Sequence, residues 1–333
     1  MNALAALHQQ GQSVWLDYIR RSLIESGDLD RLVADGLRGV TSNPSIFEKA
    51  ITGSSDYDGD LVALLDADPH ADAVALYERL AVTDIQQAAD ALRPVFDASE
   101  GGDGHVSLEV SPHLARDTEG TISEAHRLWE TVGRPNLMIK VPATAEGAPA
   151  IETLIEEGIN VNVTLIFSLD HYEAIAEAYL RGLERSADPS RVASVASFFV
   201  SRVDTAVDRI LDDDGGPEAL GLRGTIAVAN ARLAYRRFQE LFNERFADLK
   251  RRGARPQRLL WASTGTKNPA YSDVMYIEEL VGADTVNTVP PATLEAFRDH
   301  GSVRGATIAE DVAGAEAAVE RLSALGVDLG ATT

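Results

Sequence analysis

Lys140 lies in the apolar run Asn136-Leu-Met-Ile-Lys-Val-Pro-Ala143. A charged ammonium inside such a segment is costly unless it is paired. Desolvation favours the neutral amine, whose lone pair can attack a carbonyl and form an imine. Arginine could hold an ion-pair partner there but could not form an imine. The choice is informative because only four of the 30 basic residues are lysines: Lys49, Lys140, Lys250 and Lys267. A structural ion pair with Glu109 is the competing reading, and the residues alone leave the two open.

Other polar residues sit at the ends of apolar segments. Asp17 closes one such run and is a candidate base or core ion-pair member. Asn162 and Thr164 are two apart on an extended segment and so face the same side. Buried, they require partners, either a satisfied polar network or the hydroxyls of a sugar-like ligand. Asn43 stands before Pro44, which suits a helix N-cap with proline in the first turn. Ser197 and Ser263 end two further runs, and Arg202 and Lys267 follow shortly after each. Those two cations are either solvated loop charges or the anchor for an anionic group such as a phosphate.

Positioning these residues requires short strands alternating with helices. Eight strand segments are readable: Ser13–Ile19, Gly39–Asn43, His105–Ser111, Leu137–Ala143, Ile159–Phe167, Val192–Val200, Arg258–Thr264 and Asp284–Val289. Several are almost continuously apolar, as strands covered on both faces should be. Helical signals fall between them. Asp28 and Ser168 read as caps, 145–157 is amphipathic, and a long helix is expected over about 225–252. Eight strand–helix units predict a parallel (β/α)8 TIM barrel rather than an open doubly wound sheet, because no glycine-rich phosphate loop follows the first strand. The reading is one domain over 1–333. Extra helices, such as 71–80 and 84–92, fill the gap between strands two and three, and others follow Pro291.

Composition bounds the partners. The chain has 333 residues, no cysteine and a formal net charge of −22. Thiol chemistry and Cys-ligated zinc are excluded. A duplex nucleic-acid partner is disfavoured, as is an anionic membrane surface. The seven histidines form no His-x-His or His-Glu-x-x-His pattern, so no metal site is expected. Met1–Ser13 lacks the basic and apolar regions of a signal peptide, and no apolar run is long enough to span a bilayer. A cytoplasmic protein is expected.

Four segments together resemble the transaldolase family. They are Gly39-Val-Thr-Ser-Asn-Pro-Ser-Ile-Phe47, Leu137-Met-Ile-Lys-Val-Pro-Ala-Thr-Ala-Glu-Gly147, Asn160-Val-Asn-Val-Thr-Leu-Ile-Phe-Ser168 and Ser197-Phe-Phe-Val-Ser-Arg202. Their order and spacing agree with that family from about Val14 to Val289. The resemblance implies a (β/α)8 barrel without metal or organic cofactor. It implies transfer of a dihydroxyacetone unit from sedoheptulose 7-phosphate or fructose 6-phosphate to glyceraldehyde 3-phosphate or erythrose 4-phosphate, in the non-oxidative pentose phosphate pathway. By the same resemblance Lys140 forms the imine and Asp17 is the base at the C4 hydroxyl. Glu109 and Thr164 handle a catalytic water. Asn43 and Asn162 hold the dihydroxyacetone unit, Ser197 contacts substrate, and Arg202 binds phosphate.

The chain departs from the pattern after strand seven. Many transaldolases have Ser-x-Arg there, whereas this chain reads Trp261-Ala-Ser-Thr-Gly-Thr-Lys267. Ser263 matches, and Lys267 is expected to replace the arginine. One alternative function is a fructose 6-phosphate aldolase-type lyase. Those relatives are shorter, with Gln and Tyr where this chain has Glu109 and Phe199. The other is a non-catalytic sugar-phosphate-binding barrel. Monomer and homodimer stay open, as does association with another sugar-phosphate enzyme.

Overall fold

The computed structural model describes residues 2–332. All eight expected strands form: β1 (Gln12–Asp17), β2 (Gly39–Thr41), β3 (His105–Glu109), β4 (Leu137–Pro142), β5 (Val161–Ile166), β6 (Ser194–Phe199), β7 (Arg258–Ala262) and β8 (Thr285–Val289). Each pairs in parallel with the next, and β8 closes on β1, giving the (β/α)8 barrel. The strands are one to three residues shorter than their apolar runs, mainly because the runs continue past the C-terminal ends of the strands into the following turns.

Inside the barrel, Trp15, Met138, Val195, Leu260 and Val286 fill the lower layers. Trp15 is fully buried, and its indole lies against Gly39, where a Cβ atom would come within 2.5 Å of the ring. Glycine is therefore needed at that point of β2. The Trp15 Nε1 donates to Asp103 at 2.9 Å, and Arg258 Nη2 donates to the same carboxylate at 3.1 Å. These bonds close the floor of the barrel. A separate apolar layer, including Ile151, Ile175, Val207 and Phe238, lies between the strands and the helices.

Local signals explain most helix ends. Asn43 caps the helix Pro44–Thr52, its Oδ1 accepting from the Ile46 N–H at 3.0 Å. Ser168 caps Leu169–Arg185 in the same manner. Three expectations change. Asp28 is the first helical residue rather than the cap, which is Gly27 in left-handed conformation. The two helices expected at 71–80 and 84–92 are one continuous helix, Ala73–Ala98. Asp84 does not start a new helix there. It is buried on the inner face and bonds Arg21 and Tyr57. The long helix expected to 252 stops at Leu241, and Asn243 (ψ −118°) breaks the helical path before a short 3-10 turn and the helix Ala247–Arg251. Among the described residues, no helix is long and apolar enough to cross a membrane.

Candidate active site

At the C-terminal ends of the strands a cavity of about 500 Å³ opens. Nine of the ten residues selected from the sequence line it: Asp17, Asn43, Glu109, Lys140, Thr164, Ser197, Arg202, Ser263 and Lys267. Asn162 does not. A cavity of about 540 Å³ lies elsewhere, between Phe96, Trp129, Glu157 and Arg255 near the opposite ends of the strands. Barrel chemistry belongs to the C-terminal face, and the second cavity contains none of the ten residues.

Strand register brings the central pair together. Glu109 of β3 is paired with Lys140 of β4, so their side chains share the inner face. Lys140 Nζ lies 3.0 Å from Glu109 Oε2 and donates to the Ser42 carbonyl at 3.3 Å. The lysine is only 7% exposed, yet it reaches the cavity wall. The partner that a structural lysine needs is present, and so is the opening that a nucleophile needs.

Asp17 ends β1 on the same wall. Its Oδ1 accepts from Thr41 Oγ1 at 2.8 Å, and Thr41 Oγ1 lies 2.6 Å from Thr288 Oγ1. Burial pushes the Asp17 carboxyl above its ordinary range. The Thr41 hydrogen bond opposes that shift, as do the charges of Lys140, Arg202 and Lys267. The net upward shift moves this carboxylate toward the pKa of a useful base near neutral pH.

Thr164 is 1% exposed, and its Oγ1 has no hydrogen-bond partner among the described residues. A buried hydroxyl left this way is costly, and a bound water or substrate atom would satisfy it. The next residue, Leu165, has φ +64°, and the β5–β6 register shifts between Val163 and Ile166. This bulge leaves Leu165 on the cavity wall and 40% exposed.

Asn162 sits beside Lys140 in the β4–β5 register but is fully buried. Its Nδ2 donates to Ser107 Oγ at 3.0 Å, and its Oδ1 accepts from Ser197 Oγ at 2.7 Å. The amide is thus engaged by the barrel interior and orients Ser197, which does reach the cavity.

Across the mouth, the Arg202 guanidinium lies 4.8 Å from the centroid of the Phe199 ring, which packs on Phe167. Arg202 and Lys267 are exposed, and among the described residues neither forms an ion pair. Ser263, with φ +56°, places its Oγ 2.9 Å from Ser201 Oγ.

Lys49 and Thr288 are among the cavity residues missed from the sequence. Thr288 would have been found by applying the strand-end rule to β8 as well. Lys49, on the second turn of the capped helix, carried a signal in the rarity of lysine. Three of the four lysines line this cavity.

The comparisons with known proteins agree. Residues 14–333 match the family model described as Transaldolase/Fructose-6-phosphate aldolase. A protein of Thiobacillus denitrificans named Transaldolase is 51% identical over 338 residues, covering 99% of this chain and 93% of that one. Proteins of the same name from Mycobacterium ulcerans and Saccharopolyspora erythraea are each 50% identical, covering 98% of this chain and 89% of theirs.

Proposed function

The chain belongs to the transaldolase/fructose-6-phosphate aldolase family and is an enzyme, a transferase of the transaldolase type, and from that premise we propose how its cavity performs the transfer. The observation that carries the reading is Lys140. It is a buried amine held 3.0 Å from Glu109 on the wall of a cavity that also contains Asp17.

Once it has given up a proton, the Lys140 amine attacks C2 of a ketose phosphate. Loss of water leaves a protonated imine, and Glu109 with the unsatisfied Thr164 hydroxyl handles the water and its protons. Asp17 then takes the proton of the C4 hydroxyl. The C3–C4 bond breaks, its electron pair moves into the iminium, and an aldose phosphate departs from the resulting enamine. In transfer, the enamine carbon attacks the aldehyde of a second aldose phosphate, and Asp17 returns the proton to the new hydroxyl. Hydrolysis of the imine releases the product ketose phosphate and Lys140. The donors are sedoheptulose 7-phosphate or fructose 6-phosphate and the acceptors glyceraldehyde 3-phosphate or erythrose 4-phosphate, in the non-oxidative pentose phosphate pathway.

Asn43, Ser197 and Ser263 offer polar groups to the sugar hydroxyls, and Asn162 acts through Ser197. Arg202 and Lys267 bind the phosphate. In a chain of net charge −22 an anionic substrate meets long-range repulsion, so binding depends on such local cations. Replacing Arg202 with alanine raises KM for fructose 6-phosphate by about ten- to a hundredfold, the scale of a lost charge-assisted hydrogen bond. Lys267→Ala acts in the same direction. Steady-state kinetics check this, and unchanged KM values in both variants would remove the two cations from the site.

The imine itself is tested by borohydride reduction. With fructose 6-phosphate present, the reduced protein carries a dihydroxyacetone adduct on Lys140, located by peptide mass spectrometry. An adduct on another lysine, or none on folded protein, would overturn the mechanism. Adding erythrose 4-phosphate to the unreduced reaction then separates transfer from simple aldol cleavage. A transferase makes sedoheptulose 7-phosphate, whereas a lyase releases free dihydroxyacetone.

A further inference from the structure

The helix Ser201–Asp214, which follows β6, carries Arg202 in its first turn. It also carries two buried carboxylates one turn apart, Asp204 and Asp208, that the mechanism above does not use. Each divides its oxygens in the same way. Asp204 Oδ1 accepts from the Ala227 N–H at 2.8 Å and Oδ2 from the Tyr276 hydroxyl at 2.7 Å. Asp208 Oδ1 accepts from the Gly224 N–H at 3.0 Å and Oδ2 from the Tyr271 hydroxyl at 2.7 Å.

Among the described residues neither carboxylate forms an ion pair. Buried carboxylates held by neutral donors alone are an expensive way to pack a helix. Burial holds the Asp204 carboxyl up at about 6. It also pushes the Tyr271 hydroxyl up to about 12, with Asp208 adding to the effect, and Tyr276 higher still, so both phenols remain donors near neutral pH.

Both tyrosines follow β7 in the chain, as Lys267 does. Tyr271 lies four residues beyond Lys267, and its ring rests on Gly224, where a Cβ atom would come within 2.7 Å of it. Closer to the barrel, Ser201 meets Ser263 through the serine hydroxyls and through a Ser201 N–H bond to the Ser263 carbonyl at 3.0 Å. Three ties therefore run between the segment bearing Arg202 and the segment bearing Lys267.

We propose that the Asp208–Tyr271 and Asp204–Tyr276 bonds are a positioning device for phosphate recognition, fixing Lys267 relative to Arg202 across the cavity mouth. The inference rests on the reading of Arg202 and Lys267 as phosphate ligands. Tyr271 and Asp208 are positioning residues. They line no part of the cavity and act only through the two cations.

The test uses the full chain with Tyr271→Phe, which deletes one hydroxyl and keeps the ring on Gly224. KM for fructose 6-phosphate and the inhibition constant of inorganic phosphate both rise about tenfold, while kcat changes by less than about twofold. Asp208→Asn gives the same split, and the double variant is no worse than the poorer single one, as expected for two ends of one bond. If both constants stay within about twofold of the parent, the device does not act on phosphate. If kcat falls as far as KM rises, the residues serve general packing and the proposal also fails. Should Tyr271→Phe not fold by circular dichroism, Tyr276→Phe is read by the same criteria. Arg202→Ala separates the layers. If it leaves phosphate inhibition unchanged, the phosphate reading itself falls. If it weakens inhibition while Tyr271→Phe does not, only the positioning role falls.

Discussion

Replacing Lys140 with arginine lowers kcat by at least about a thousandfold, equivalent to about 4 kcal/mol of lost transition-state stabilisation. Arginine is the informative substitution because it retains a positive charge for Glu109, which lies 3.0 Å from the lysine. If Lys140 only paired with that carboxylate, Lys140→Arg would leave most of the activity and no borohydride adduct would form with the parent. A guanidinium has no available lone pair, so imine catalysis cannot survive the exchange. Lys140→Met, which removes the charge as well, should be equally inactive. It should also be less stable than the arginine variant, because Glu109 then loses its cation. Thermal unfolding and single-turnover assays on both variants measure the two effects separately.

Asp17→Asn lowers kcat by about a hundred- to ten-thousandfold, the range associated with loss of a general base. The amide is nearly isosteric, and its oxygen can still accept from Thr41 Oγ1, so the fold should be retained. The variant still forms the imine, because that step does not require the C4 proton. Borohydride should therefore trap an adduct on Lys140 that still carries the whole six-carbon ketose phosphate. Trapping without turnover assigns Asp17 to carbon–carbon cleavage, whereas loss of both would assign it to imine formation.

Asp17 also governs the pH profile. The base acts in its ionised form, and burial displaces its carboxyl upward from the ordinary aspartate value. The acid limb of kcat/KM for the parent therefore lies above the ordinary carboxylate range, and activity is lost as pH falls through it. In Asp17→Asn the residual activity lacks that limb. A limb that persists unchanged in the variant would belong to another group.

Much of this was legible from residue types alone. Buried strands must be apolar, so a lysine or an amide within one stands out, as Lys140 and Asn162 do. The Asn43–Pro44 pair predicted its own cap, because capping depends on atoms three residues apart. The strand count and barrel closure followed from a rhythm of eight units. Where interactions are local, as in a cap or the alternation of faces along a strand, the chain states them directly.

The structure alone decided which of those polar groups remain available. Asn162 and Thr164 look equivalent in the sequence. Yet Ser107 and Ser197, 55 and 35 residues from Asn162, occupy its amide, while the Thr164 hydroxyl has no hydrogen-bond partner among the described residues and Thr164 lines the cavity. Lys49 and Thr288 joined the site because barrel closure places the ends of β2 and β8 on either side of Asp17. The continuous helix Ala73–Ala98 formed because Asp84 found Arg21 and Tyr57, 63 and 27 residues earlier in the chain. The ties from Asp204 and Asp208 to Tyr276 and Tyr271 join residues 72 and 63 positions apart. Periodicity and composition report which side of an element is buried. Which buried polar group meets which is set by register and closure, and those exist only once the barrel has formed.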